Sequence, residues 1–270
     1  MSRRSKMFTA TIALAACTTS LLVSCGDDDQ DATTDSATVE AESPTTETAD
    51  PVAADFCEAY VDITIAMAGE PDPAVIEQNL ATVNGTAPEE VAEPAKTMTD
   101  AVSAVLSSGG QDFSPLESPE FAEAQATVDP YVFENCEFSS AIEATGLDYS
   151  FEGLPETFEA GRVAVLFTNE GAEAHEIAIV RRNDGVTEPF EELLALPEEE
   201  AMEKVTFMGG AFASETGSKA LLVNDFEPGD YIAICFVPSG TIASGDGEMT
   251  EGTGDPHFVH GMQQEFTVTA

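Results

Sequence analysis

The five cysteines limit what this chain can fold into, because an unpaired thiol in an oxidising compartment needs a separate explanation. They stand at positions 17, 25, 57, 136 and 235. Cys57 and Cys136 lie at the two ends of a segment with helical periodicity, so we expect them to form a disulfide that closes it. The chain-entropy model gives a loop of that size roughly 4–5 kcal/mol of stabilisation. The other three cysteines need other roles.

The N-terminus has the pattern of an export signal. It begins with the basic residues Arg3, Arg4 and Lys6. The largely apolar stretch over residues 7–23 is too short and too often interrupted by Thr and Ser to be a stop-transfer helix. We therefore predict a signal peptide over residues 1–24, which removes Cys17 and places the mature chain outside the cytoplasm.

The end of this segment carries a motif of its own. Leu22-Val23-Ser24-Cys25 resembles a bacterial lipobox. The resemblance implies that Cys25 is acylated and becomes the new N-terminus, so that a lipid anchors the protein to the bacterial cell membrane. An ordinary secretory signal with a chance cysteine is the alternative.

Acidic residues dominate the composition. The chain has 51 Asp and Glu against 9 Lys and Arg, a formal net charge of -42. This excludes nucleic acid as a partner, because neutralising phosphates requires basic side chains. Residues 25–54 are rich in Asp, Glu, Thr and Ser without any large apolar cluster, so we predict a disordered acidic tether there.

Residues 55–140 carry a helical pattern. Apolar residues recur at helical spacing in two runs, Phe56, Tyr60, Ile63 and Met67, and then Val91, Ala95, Met98, Val102 and Val105. We predict a small helical domain closed by the disulfide. It contains no His, and we expect its acidic residues to lie on polar faces, so nothing in it indicates catalysis.

Residues 146–270 have the pattern of a β-sandwich. Short runs of branched and aromatic residues recur around 163–167, 175–180, 221–224, 231–237 and 265–268, with turn residues between them. Residues 187–204 indicate one helical insertion. The predicted fold class is α+β, a small disulfide-closed helical domain followed by a Greek-key sandwich.

Four residues of the sandwich form a candidate metal site. His175 opens a strand and shares its face with core residues, Cys235 closes another strand, and His257 and Met262 follow on the next loop. Two imidazoles, one thiolate and one thioether are the ligands of a mononuclear blue-copper site. Cys235 is also the cysteine that the lipid and the disulfide leave over.

The sequence here resembles the cupredoxins, the family of plastocyanin and azurin, over roughly residues 147–270. Three motifs carry the resemblance: Asn-x-Gly-x-x-x-His ending at His175, Pro-Gly-x-Tyr-x-x-x-Cys ending at Cys235, and His-x4-Met from His257 to Met262. It implies one type 1 copper held by His175, Cys235, His257 and Met262. In the family the second His is an exposed electron port, so the resemblance also implies an exposed His257 framed by Phe258, Val259 and Gly261.

The sequence departs from the family in three places. An insert of 21 residues rich in Gly, Ser and Thr, which we expect to be flexible, separates Cys235 from His257. Glu176 follows the first His where plastocyanin has Asn. His260 competes with His257, and we favour His257 because its spacing to Met262 matches that of the family.

The predicted function is one-electron transfer by a membrane-tethered blue-copper protein, with a redox protein such as a cytochrome or an oxidase as partner. A Cu(I) delivery or storage protein and a copper-free binding or structural module are the alternatives. We do not expect an enzyme, because the chain has three His in all, no Cys-x-x-Cys-His haem motif and no Gly-x-Ser-x-Gly elbow.

Overall fold

The computed structural model describes residues 51–69, 72–243 and 249–270. The predicted signal peptide, Cys25 and the predicted tether as far as residue 50 lie outside these residues. The long helices are α1 (Pro51–Ala68), α2 (Pro73–Thr86), α3 (Ala92–Ser107) and α4 (Pro119–Asn135). No helix among the described residues is long and apolar enough to cross a bilayer.

The strands follow the helices. They are β1 (Ser140–Leu147), β2 (Ser150–Glu152), β3 (Thr157–Glu159), β4 (Gly161–Asn169), β5 (His175–Arg182), β6 (Val205–Ala213), β7 (Lys219–Phe226), β8 (Gly229–Ile234), β9 (Ile242–Ala243), β10 (Met249–Thr250) and β11 (Gln263–Thr269). One sheet has the order β2-β1-β4-β7 and the other β3-β11-β8-β5-β6, while β9 and β10 pair with each other in antiparallel fashion. The chain crosses repeatedly between the two sheets, and the predicted α+β class is confirmed.

The two sheets enclose one apolar core. Inward-facing residues of both sheets form it, including Val165, Phe167, Ile177, Ile179, Tyr231 and Phe266, all buried. His175 lies on this inner face of β5, two residues before Ile177, as the period-2 pattern predicts. The core therefore ends, at one end of the sandwich, in the candidate metal site.

The helices form a layer on the outer face of the first sheet. Ala164, Leu166, Leu221 and Val223 pack there against the apolar faces of α1 to α4. Strands β4 and β7 are thus buried on both faces, which explains why residues 163–167 are apolar without interruption. The disulfide between Cys57 and Cys136, with Cα atoms 5.5 Å apart, joins α1 to the end of α4, as predicted.

One acidic residue of the helical layer is buried, against our expectation of polar faces. Asp129 is 2% exposed. Its Oδ1 accepts a hydrogen bond from the Tyr60 hydroxyl at 2.7 Å, and its Oδ2 accepts one from the Leu221 amide at 2.8 Å. The carboxyl group therefore joins α4 to α1 and to β7. Burial raises its pKa to about 6, although these hydrogen bonds oppose the rise.

The predicted single helical insertion is two short helices. They are α5 (Phe190–Leu194) and α6 (Glu198–Met202). Pro197 separates them, because the residue before a proline avoids helical backbone angles. Phe190 and Leu193 cover the outer face of the second sheet at β5 and β8.

Candidate metal centre

Three predicted ligands meet at one end of the sandwich. The Nδ1 atoms of His175 and His257 lie 3.0 Å apart, and Sγ of Cys235 lies 3.4 Å from Nδ1 of His257. The three donor atoms all lie within 4.8 Å of one another, and all three residues are fully buried. Two nitrogens bound to one ion at about 2.0 Å each would lie about 3–3.5 Å apart, so the spacing matches a coordinated ion.

The segment before β5 positions His175. The side chain of Asn169 donates to the carbonyl oxygens of Glu173 and Ala213, and its Oδ1 accepts from the Gly171 amide. The loop from Asn169 to His175 is thereby closed on itself. A Cβ atom at Gly171 would lie 2.3 Å from Nε2 of His175, so only glycine leaves room for the ring.

Backbone hydrogen bonds bring Cys235 and His257 together. The Phe258 amide donates to the Cys235 carbonyl at 3.0 Å, and the His257 amide donates to the Val237 carbonyl at 2.9 Å. A bridge between Pro238 and Pro256 continues the pairing. The insert that we expected to be flexible is thus closed at its base, and its described part contains the antiparallel pair β9 and β10. The long insert therefore does not separate the two ligands.

Glu176 binds the cysteine loop at two points. Its amide lies 3.5 Å from Sγ of Cys235, within reach of a weak N–H···S hydrogen bond. Its Oε1 accepts from the Phe236 amide at 2.9 Å. The residue that departs from the family pattern therefore still fixes the ligand loop, through backbone and carboxylate rather than through an amide side chain.

The thiol of Cys235 is protonated until a cation replaces the proton. Burial raises its pKa to about 11, although the amides of Glu176 and Val237 lower it in part. A soft metal ion would supply the positive charge that a buried thiolate needs. The cysteine is free of any disulfide.

Each imidazole has a carboxylate behind it. Nε2 of His175 lies 3.3 Å from Oδ1 of Asp148, and Nε2 of His257 lies 3.0 Å from Oε2 of Glu173. Burial alone would raise the pKa of Glu173, but hydrogen bonds from the Gly240 amide, His257 and Tyr149 hold it below its usual value. The pKa of Asp148 is lowered in the same way, against burial, by the Ala172 amide and His175.

These carboxylates decide which nitrogens carry protons. An ionised carboxylate only accepts hydrogen bonds, so each Nε2 carries a hydrogen and each Nδ1 is turned inward, towards the other two donor atoms. Burial also lowers the pKa of His175, although Asp148 opposes this, which favours the neutral ring. The two Nδ1 atoms are 3.0 Å apart, so they can share either a proton or a metal ion. The residues present therefore fit a bound metal ion.

Met262 lies beside the three clustered residues. It is fully buried, its amide donates to the His257 carbonyl, and its carbonyl accepts from the Cys235 amide. A Cβ atom at Gly146 would lie 3.2 Å from Cε of Met262 and 2.6 Å from Cζ of Phe167. The thioether is thus held in the core by a glycine that leaves room for it.

His257 is not the exposed port that the family resemblance implied. It has no exposed surface, because Tyr149 packs over it with ring centroids 5.1 Å apart at 75° and Glu173 occupies its Nε2. His260, its competitor in the sequence, lies outside the cluster on the surface. Phe258 and Val259 flank the buried ring along the chain without exposing it.

Sequence reasoning missed three residues of the site, namely Asp148, Tyr149 and Glu173. Glu173 stands inside the Asn-x-Gly-x-x-x-His motif, two residues before the ligand, which was the one available signal. Asp148 and Tyr149 form the turn between β1 and β2, and nothing in their local sequence indicates the site.

The fold and the donor set can now be compared with known proteins. Three solved auracyanins are similar to this chain. Auracyanin from Roseiflexus castenholzii shares 17% identity at a TM-score of 0.31, covering 47% of this chain and 95% of its own. Auracyanin B shares 17% identity at a TM-score of 0.32, and the match covers 50% of this chain and 93% of auracyanin B. Auracyanin A from Chloroflexus aurantiacus, described as a "blue" copper protein, shares 18% identity at a TM-score of 0.29. The match covers 48% of this chain and 98% of auracyanin A.

Three of the four residues that the resemblance to the cupredoxins implied as ligands form one cluster. The cluster of His175, Cys235 and His257 fits a type 1 copper site in its donor types and spacing. The chain matches no family model and no curated relative.

Proposed function

We propose that this protein binds one copper ion between His175, Cys235 and His257, with Met262 as a weak fourth ligand, and transfers single electrons. The observation that carries the proposal is the meeting of two Nδ1 atoms and one Sγ within 4.8 Å in a fully buried site. A thiolate with two imidazoles suits both oxidation states of copper, and a thioether tunes the potential. When bound, the copper would take up and release one electron.

The chain's own residues contribute rigidity and exclusion of water. The three clustered residues and Met262 have no exposed surface, and Asp148, Glu173 and Glu176 hold the imidazoles and the cysteine loop by hydrogen bonds. Ligands fixed in this way change little between oxidation states, which favours rapid electron transfer. Zinc is the less fitting ion, because its sites seldom include a thioether.

Titration of the metal-free mature protein with Cu(II), followed by its optical spectrum, tests the proposal. We expect an intense blue or green band from thiolate-to-copper charge transfer at one equivalent. The variant Cys235→Ser should stay colourless, and Asn224→Ser, a buried polar position on β7 outside the cluster, is the matched control that should colour as the wild type does.

Voltammetry separates the remaining functions. A reversible one-electron couple is the expected result for a carrier. Tight Cu(I) binding without a reversible couple would instead indicate copper delivery or storage. A protein that takes up no copper, and whose melting temperature is indifferent to it, would be a copper-free module and would refute the proposal.

We further propose that the protein acts as a carrier, and not as an enzyme, on the outer face of the bacterial cell membrane. The Cys57–Cys136 disulfide is typical of proteins in an oxidising compartment. The lipobox-like sequence ending at Cys25 supports a lipid anchor. Radiolabelled palmitate should be incorporated into the wild-type protein and not into the Cys25→Ala variant, whereas an unlabelled wild type, or equal labelling of the two, would contradict the anchor.

A further inference from the structure

The burial of His257 means that an electron must reach the site through another group. The ring of His257 is fully covered, and its outer nitrogen is occupied by Glu173. Tunnelling falls off steeply with distance, so a group that packs on His257 and reaches the surface offers a short way out. Tyr149 is such a group.

Tyr149 contacts His257 in two ways. Its ring packs edge-on against the imidazole at 5.1 Å between centroids. Its hydroxyl donates to Oε1 of Glu173 at 3.1 Å, and the other oxygen of the same carboxylate bonds Nε2 of His257 at 3.0 Å. The tyrosine is therefore coupled to the ligand through ring contact and through a carboxylate bridge.

The backbone holds Tyr149 over the site at a cost. It occupies the turn between Leu147 and Ser150, which pair across β1 and β2. Its φ of 68° is positive, alone among the non-glycine residues in the described ranges. Glycine or asparagine would suit such a position better, so an aromatic residue there points to a role of the ring itself.

His260 continues the contact to the surface. Its ring lies 5.0 Å from that of Tyr149, centroid to centroid, and its side chain is exposed. Three rings thus run from the buried ligand to water in the order His257, Tyr149, His260. The buried site therefore has an aromatic connection to solvent.

The surface around these rings is acidic. Asp148 is half-exposed beside Tyr149, and Glu173 is about one-fifth exposed. Their hydrogen-bond partners within the described part of the chain are His, Tyr and backbone amides, and no Lys or Arg is among these. Uncompensated negative charge next to an electron exit favours a positively charged partner.

We propose that electrons enter and leave through Tyr149 and His260, and that the partner is a redox protein whose docking face is basic. The inference rests on the proposed copper function. In each transfer the site gives up one electron and the partner gains one, and no bond is made or broken.

Stopped-flow oxidation of the reduced copper protein by a cationic cobalt(III) tris-phenanthroline complex tests the route. We expect Tyr149→Leu to slow the reaction by about tenfold or more, which equals about 1.4 kcal/mol of activation free energy. Tyr149→Phe, which keeps the ring, should stay closer to wild type, and His260→Ala should slow the reaction. Tyr131→Leu, in the helical layer, is the matched control and should react as the wild type does.

A second measurement does not depend on electron transfer. Redox-inert chromium(III) hexaammine, added to the metal-free protein, should broaden the NMR signals of the Tyr149 and His260 rings before those of other aromatic residues. Raising the salt concentration should abolish the effect, because it screens exposed charges. Uniform broadening, or broadening centred on another face, would refute the docking surface.

The outcomes separate the inference from the function beneath it. A blue Tyr149→Leu protein that reacts as fast as the wild type overturns the route alone. A wild-type protein that never takes on a copper–thiolate colour overturns the copper function, and the route with it.

Discussion

The Nδ1 atoms of His175 and His257 lie 3.0 Å apart although 82 positions separate the two residues in the chain. With both outer nitrogens turned towards carboxylates, the two Nδ1 atoms face each other and can share a positive charge, either a proton or a metal ion. A metal ion would therefore bind at this pair by displacing a proton from it.

Copper should therefore stabilise the folded protein. A ligand at 100 times its Kd that binds only the native state adds about 2.7 kcal/mol, or about 5–10 °C in Tm for a chain of this size. Differential scanning calorimetry with and without copper measures the shift. In Cys235→Ser the shift should largely disappear, and an equal shift in that variant would mean that the copper binds elsewhere.

Gly171→Ala should weaken copper binding by about 10- to 100-fold, the usual cost of disturbing a group that orients a ligand. The new Cβ would lie 2.3 Å from Nε2 of His175 and 2.5 Å from Oδ1 of Asp148, so the ring must move. A competition titration against a chelator measures the affinity. Gly85→Ala, which meets nothing within 4 Å, is the control, and equal affinities in the two variants would contradict the prediction.

Met262→Leu should keep the colour and raise the reduction potential. The two side chains have similar volumes, so the fold should lose less than about 1.5 kcal/mol. Loss of a weak thioether donor favours Cu(I) over Cu(II). Voltammetry of the variant beside Met67→Leu, a methionine of α1, gives the comparison. If the potentials of the two agree, Met262 is not a ligand.

Asp129→Asn should change how stability depends on pH. The pKa of Asp129 in the folded protein is about 6, above the unfolded value of about 3.9, so the native state holds its proton more tightly. Stability from this group is present below about pH 4 and declines as the pH rises to about 6, by roughly 3 kcal/mol in all. The asparagine side chain does not ionise, so the Asp129→Asn variant lacks this pH-dependent loss of stability.

Urea unfolding of the metal-free protein at pH 4 and pH 7.5 checks the effect of Asp129. The wild type should lose more stability between these pH values than Asp129→Asn, whatever the absolute cost of the altered hydrogen bonds. Glu176, whose pKa burial also raises, is common to both proteins, so its contribution cancels.

Replacing both Cys57 and Cys136 by Ser should destabilise the protein by about 4.5 kcal/mol, the chain-entropy estimate for a sequence separation of 79. The urea midpoint of the double variant against wild type measures the loss. A difference below about 1 kcal/mol would show that the helical layer is ordered by its packing on β4 and β7 alone.

The three clustered residues could be predicted from sequence because their chemical types are rare in this chain. It has three His and a single leftover Cys, and their order along predicted strands left few arrangements. The burial of His257 could not be foreseen, since it depends on Tyr149, which comes from a turn more than a hundred residues earlier. The family pattern predicts an exposed ring at position 257, but in this structure the contact with Tyr149 buries that ring.

The acidic residues show the opposite case, because their type is so common in this chain that the sequence alone cannot pick out the functional ones. With 51 Asp and Glu in the chain, nothing in the sequence marks Asp148 or Asp129 as different from the solvated majority. Asp129 in particular accepts from a hydroxyl and an amide that lie 69 and 92 positions away, so its role exists only in the folded chain.

Because helices cover the outer face of the first sheet, the sandwich cannot simply be separated from them and used as an independent domain. A sandwich cut free near residue 140 would turn Ala164, Leu166, Leu221 and Val223 towards water, an apolar face that invites self-association. Grafting the sandwich with its candidate metal site into another protein thus requires either the helices from residue 51 onward or polar substitutions on the outer face of β4 and β7.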